Sequence, residues 1–230
     1  VRVDAPDVIE VQGPPTLTRP AEVVIAALSP VVTTERLQRI KQVVEARTDN
    51  LAVVLDRIAD PHNASAVLRS AEAFGVQNVH AIVGEQSFLA ARGVAKGTER
   101  WLDVARYQSA LECARRLKAE GHEIYVAAMG GRASLDDLKR IPKLAVAFGN
   151  EHRGVSEDLR EVADGTFSIP MRGFVESLNV SVAAAITMQT LTDGRRPGLD
   201  PTRRRELLAR FLMNSVRNAD RVIEQSIGND

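Results

Sequence analysis

LAVVLDRIADPHNASAVLRSAEAFGVQNVHAIV, residues 51–83, holds the pattern that decides the fold. LAVVLDRI (51–58) is an unbroken Val- and Leu-rich run of strand length, the pattern of a strand buried on both faces. Residues 63–75 then repeat at helical spacing, with Val67, Ala71 and Phe74 on one stripe. VHAIV (79–83) is a second buried strand. Strand, amphipathic helix and strand in succession make the crossover unit of a parallel sheet. Ser65, Arg69 and Glu72 lie opposite the apolar stripe. Periodicity alone reads them as a solvated face, with Arg69 and Glu72 an i,i+3 pair. Asn63, after Pro61 and His62, reads as the helix N-cap.

The alternation continues outward. Residues 101–107, 123–129 and 143–150 have strand patterns, and TFSIPM is a strand edge closed by Pro170. Helical segments fall near 109–121, 156–163 and 177–194. The expected fold is therefore α/β, a parallel sheet with helices on both faces, spanning 51–192. Upstream, residues 1–30 form an N-terminal arm, partly mobile, with four prolines before residue 21 and a short helix at 21–28. Residues 31–50 hold an N-terminal helix with Leu37, Ile40 and Val44 on its stripe and Arg36, Arg39 and Arg47 off it. Residues 193–230 form a helical extension, read as a single helix over 201–226.

Composition bounds the function. Formal net charge is zero, so any nucleic-acid surface is a local patch. Twenty-five of the thirty basic residues are Arg, whose planar fork suits phosphate and carboxylate. A single cysteine, Cys113, excludes an intrachain disulfide framework and fits a reducing, cytoplasmic setting. No apolar run approaches the ~18 residues of a membrane span. The opening residues lack the pattern of a signal peptide. The chain carries no Walker A, G-x-G-x-x-G, G-x-S-x-G or H-E-x-x-H motif, and its four His are scattered without metal-ligand spacing. They read as surface or capping residues, and no metal is expected.

Ligands of parallel α/β sheets bind beyond the carboxyl ends of the strands. Two stretches stand there. In AFGNEHRGVS (147–156) a strand ends at Gly149 and Glu151 follows in the turn before a helix. In SIPMRGFVESLNVSVAAA (168–185), Pro170 and Gly173 shape a loop, and Ser177, Asn179 and Ser181 line a helix start. Each alone equally fits a plain turn or a capped helix.

Together the three stretches are far more specific. N-x-S-A-x-x-R-S-x-E-A-x-G-V from Asn63, G-x-E-x-x-G-V-S from Gly149, and I-P-M-x-G-x-x-x-S-L-N-V-S-V-A from Ile169 resemble the three motifs of the SPOUT methyltransferases, specifically the TrmH (SpoU) branch. The resemblance runs from about residue 33 to 196. It includes R-I-x-x-V in the leading helix and the loop Lys96-Gly97-Thr98-Glu99-Arg100-Trp101.

This resemblance implies a C-terminal deep trefoil knot, a homodimer with its active site at the subunit interface, and S-adenosylmethionine (AdoMet) held in the knot. Carried over position by position, Phe148, Gly149, Asn150, Ile169, Met171 and Leu178 would hold AdoMet. Asn63, Arg69, Glu151, Ser177 and Asn179 match the catalytic set, with Arg69 the activator of a ribose 2′-OH. A guanidinium with a pKa above ~12 is a poor general base, so Arg69 is expected to act by holding a phosphate and stabilising developing alkoxide. Asn63 is expected to fix Arg69. Arg172 and Glu176 depart from the family pattern, where an apolar residue and Gln are expected, and should alter substrate contacts. The substrate implied is tRNA, at guanosine 18 of the D-loop, because the arm is too short for the RNA-binding domain of the ribosomal-RNA enzymes. Ribosomal RNA, or a knotted protein without turnover, are the alternatives. Arg36, Arg39, Arg47, Arg195 and Arg196, with Arg203 to Arg205, are expected to contact phosphates.

Overall fold

The computed structural model describes residues 16–83, 97–194 and 198–228. Among them, six strands form one parallel sheet: β1 (Thr48–Asp56), β2 (Val76–Ile82), β3 (Asp103–Tyr107), β4 (Glu123–Ala127), β5 (Leu144–Gly149) and β6 (Gly165–Phe167). Their order is β3-β2-β1-β5-β4-β6. The unbroken apolar run of β1 is explained by its central place. Val53 and Leu55 enter the core on one face, Ala52 and Val54 the core on the other. Helices α3 (Pro61–Ala73), α5 (Leu135–Leu138) and α7 (Val180–Thr192) cover the first face, and α4 (Ala110–Ala119) and α6 (Glu157–Val162) the second.

The order sets the site. β1 lies between β2 and β5, and Asp56 at its end is in register with Ile82 and Gly149. The loops after β1 and β5 therefore emerge side by side, at the point where the winding changes direction and such sheets bind ligands.

The start of α3 differs from expectation. Asp60, not Asn63, is the N-cap: its carboxylate accepts the His62 N–H at 2.8 Å, and Pro61 takes the first helical position. Asn63 thus stands inside the first turn with its amide free for other partners. Glu72 does not pair with Arg69 either; it binds Arg47 (3.0 Å).

A third core lies outside the sheet. Helices α1 (Ala21–Leu28), α2 (Thr34–Glu45), α8 (Pro201–Ser215) and α9 (Ala219–Ile227) enclose Val24, Leu28, Ile40, Val44, Leu207, Phe211 and Ile223. Residues 21–28 form a helix packed into this core, because Val24 and Leu28, four apart, share one buried face. The single helix expected over 201–226 is two. The break falls at Asn218, whose φ of +55° is left-handed. Residues 1–15 of the arm, with Lys96, Arg195 and Arg196, lie outside the described residues.

Arg47 is a further correction. The helix ends at Glu45, so the helical projection that put Arg47 on an exposed face does not apply to it. It is 1% exposed, its guanidinium bonds the carbonyl and carboxylate of Glu72, and it lies 5.7 Å over the Phe211 ring. It joins the helical layer to the sheet layer and is closed to phosphate. Arg203, with Arg210, is bound to Asp103 at the head of β3, while Arg204 and Arg205 pair with Glu45 and Glu22. Arg39 is exposed; Arg36 is exposed and lies 5.6 Å over Trp101. Two of the four His are buried and not at the surface: His80 stacks on Tyr107, and His122 bonds the Asp49 carbonyl.

Candidate active site

Two sharp turns build the site. β5 ends at Gly149 because no side chain fits there: a Cβ would lie 2.1 Å from backbone atoms of Gly154 and Val155. The turn closes through Asn150, whose side-chain oxygen accepts the N–H groups of His152 (2.9 Å) and Arg153 (3.3 Å). Gly154 completes it at a φ of +68°. Directly after β1 comes Arg57, a non-glycine residue at φ +53°, an uncommon conformation found often in functional turns. A two-pronged bond to Asp158 at 3.1 and 2.8 Å fixes it, and the Asn150 amide donates to its carbonyl. This Arg57 fork holds the Asp158 carboxyl down at about 2, while the paired Arg57 is pushed up.

The tied turns aim Glu151 at the start of α3. Its carboxylate accepts the Asn63 side-chain amide at 2.8 Å and the main-chain N–H groups of Asp60 and Ala59, both at 3.3 Å. Burial pushes the Glu151 carboxyl upward; the amide and backbone donors outweigh it, and the net shift is downward. Asn63 in turn accepts from Asn179 at 3.0 Å. Asn179 caps α7, its oxygen taking the N–H and hydroxyl of Ser181 (2.8 and 2.6 Å). The chain Glu151–Asn63–Asn179 thus links one residue from each of the three stretches singled out in the sequence.

A cavity of about 740 Å³ opens beside it. The end of β4, the end of β5, the loop 167–178 and the first turn of α7 line it. Of the residues expected to hold a cofactor, Phe148, Gly149, Ile169, Met171 and Leu178 line the cavity. Asn150 does not; it braces the two turns. Ser177 lines the cavity and Asn179 sits between the lining residues Leu178 and Val180. Among the described residues, segment 169–178 makes no backbone–backbone hydrogen bond, so its N–H and C=O groups are available to a ligand.

Arg69 is not brought into this set. It is exposed, its side chain makes no hydrogen bond or ion pair among the described residues, and it neither lines the cavity nor is held by Asn63. Sequence reasoning missed Arg57, Asp60 and Asp158. A charged residue directly after a buried strand, and Asp before Pro, were the available signals. It also missed Met129 and Phe174, exposed apolar side chains on the cavity rim.

Comparison with known proteins adds the family. The family model described as the SpoU rRNA methylase family matches residues 50–189. The chain belongs to the SpoU methylase family. Among SpoU relatives, a tRNA (guanosine(18)-2′-O)-methyltransferase of Thermus thermophilus is 36% identical over 78% of this chain and 97% of its own. The protein of that name from Borreliella burgdorferi is 35% identical over 73% of this chain and 77% of its own. Among solved structures, the TrmH/SpoU tRNA modifying enzyme of Aquifex aeolicus matches with a TM-score of 0.68 at 28% identity, over 80% of this chain and 98% of that one. The SpoU methyltransferase AviRb of Streptomyces viridochromogenes, in complex with AdoMet, matches with a TM-score of 0.55 at 25% identity, over 69% and 62%.

Proposed function

We propose that this chain transfers a methyl group from AdoMet to a ribose 2′-OH of tRNA, at guanosine 18, and does so as a homodimer. The observation that carries the proposal is the bonded set Glu151–Asn63–Asn179 at the edge of the cavity. It joins all three family motifs, and relatives 35% and 36% identical bear that activity in their names.

The residues present fit AdoMet. Phe148, Met171, Leu178 and Val180 offer apolar walls to an adenine, and the unbonded main chain of 169–178 offers donors and acceptors. When bound there, AdoMet supplies an electrophilic methyl group. The protein's part is to present a hydroxyl in line with it. The ionised Glu151, held by three donors, fixes Asn63, and Asn63 fixes Asn179, so these side chains meet substrate already oriented. Arg69 holds a backbone phosphate and stabilises the developing alkoxide electrostatically. Arg36 and Arg39 add phosphate contacts outside the site.

The dimer is supported by what one chain leaves open. The Arg69 side chain has no hydrogen-bond or ion-pair partner among the described residues, and Val182 and Ile186, four apart on α7, expose an apolar stripe. α7 packs on α3, so Arg69 and this stripe belong to one outer layer. A second copy seated on that layer would bring its own Arg69 to this cavity. The deep knot belongs to the same proposal; the loop 169–178, returning past β4 and β5 into α7, is its candidate path.

Labelled AdoMet, offered with unmodified tRNA and with ribosomal RNA in separate reactions, tests the function. Label is expected in 2′-O-methylguanosine from the tRNA digest. Label in ribosomal RNA alone, or AdoMet binding without transfer to either RNA, overturns the reading.

A further inference from the structure

The described residues contain eight aromatic side chains, and their exposure is uneven. Tyr107, Phe148, Phe167 and Phe211 are buried; Phe74, Trp101 and Tyr125 are half-buried. Phe174 alone is fully exposed, at 108%. It stands on the rim of the cavity, in a run of residues 172–177 that is exposed throughout, with exposed Val175 beside it and Met129 also on the rim. Solvent is a poor environment for a phenyl ring, and this one contributes nothing to the three cores.

Its position in the chain suggests what it meets. Phe174 is three residues from Ser177, at most about 10 Å along the chain, and five from Asn179. The reacting hydroxyl of the substrate is on C2′ of a ribose whose base is on C1′, the adjacent carbon. A ribose presented at Ser177 and Asn179 therefore keeps its base close to the reacting hydroxyl, within reach of the Phe174 ring a few residues away. Methylation within a tRNA loop acts on a nucleotide that can leave its stack, and an unstacked base needs a new apolar face. The phenyl ring is the exposed aromatic face the described residues offer.

We propose that Phe174 is the platform on which the base of the acceptor nucleotide stacks, making it a positioning residue for the 2′-OH. This rests on the reading of the site as an RNA ribose methyltransferase. Stacking on a phenyl ring is tolerant of base identity, so Phe174 sets where the ribose lies and leaves the choice of guanine to other groups.

Phe174→Ala, Phe174→Trp and wild type are compared for tRNA Kd and KM, AdoMet Kd, sedimentation, and final methyl transfer. Phe174→Ala is expected to weaken tRNA Kd and KM by about 5- to 150-fold, the effect of losing one base–aromatic stack. AdoMet affinity and sedimentation should stay at the wild-type values. Phe174→Trp should restore tRNA affinity, and its indole emission should change on adding tRNA and not on adding AdoMet. Unchanged tRNA affinity in Phe174→Ala overturns the proposal. So does weakened self-association, which makes Phe174 a contact between two copies, or weakened AdoMet binding, which makes it a cofactor contact. If wild type binds tRNA in a Phe174-dependent way but transfers no methyl group, the stack stands and the enzymatic reading falls.

Discussion

Asn63 and Arg69 stand six residues apart on α3 and live in opposite circumstances. Asn63 is bonded on both sides, to Glu151 and to Asn179, within its own chain. Arg69 is exposed, and its side chain is bonded to none of the described residues. The fold ties Asn63, Glu151 and Asn179 together and leaves the Arg69 guanidinium outside that set among the described residues. A lone exposed guanidinium is unremarkable on any surface. On the helix that supplies Asn63, in the outer layer that also carries the bare apolar stripe of α7, it is the residue that the proposed dimer would bring to a second cavity.

If that division is real, the two residues must fail differently. Arg69→Ala should lower kcat/KM by roughly 10²- to 10³-fold, as loss of one preorganised charge stabiliser does. Its thermal midpoint and AdoMet affinity should match wild type, because no side chain among the described residues bonds to it. Arg69→Lys at near-full activity with an unchanged pH profile would show that the planar fork is dispensable.

Glu151→Gln should instead touch both activity and stability. Losing charge-assisted bonds costs about 1.5–3 kcal/mol, or roughly 10- to 150-fold in rate if orientation alone is lost. The sign with pH follows from the depressed Glu151 carboxyl. Its contribution to stability is present above the ordinary glutamate pKa of about 4.3 and is lost as pH falls through the lower folded value. Acid melting curves of wild type and Glu151→Gln should therefore converge only at low pH.

A milder contrast separates Arg47 from Arg39. Arg47→Ala should lower stability by about 1–3 kcal/mol, by removing a buried partner of Glu72 and a contact of Phe211. It should leave the salt dependence of tRNA binding alone. Arg39→Ala should do the reverse, with unchanged melting and a salt slope reduced by about one phosphate contact.

Much of this was legible in the residues, and what was not has physical causes. β1 and β5 showed as unbroken Val, Leu and Ala runs because the central strands are buried on both faces. The three motif stretches pointed to the site because the switch point of the sheet gathers the loops after β1 and β5. The cap of α3 was misread because Asp60 and Asn63 are both good caps, and only the position of Pro61 at the first helical turn distinguishes them. The break between α8 and α9 left no Gly or Pro to see; Asn218 supplies the left-handed turn. Arg47 was misplaced because two residues past a helix end are enough to turn a side chain from solvent into the core. None of the periodicities could say that Arg69 would find no partner among the described residues, since pairing across distant segments, here Arg47 with Glu72, decides which charges remain.

Mixing two inactive variants tests most directly whether Arg69 serves the cavity of a second copy. Arg69→Ala keeps the cavity and lacks the charge; Ala183→Trp keeps the charge and fills the cavity that Ala183 lines. Each alone should show little methyl transfer to tRNA. After subunit exchange, mixed dimers hold one site with an open cavity and an intact partner Arg69, so activity should rise to about a quarter of wild type. No gain on mixing, with exchange verified, would mean that Arg69 acts within its own chain or not at all.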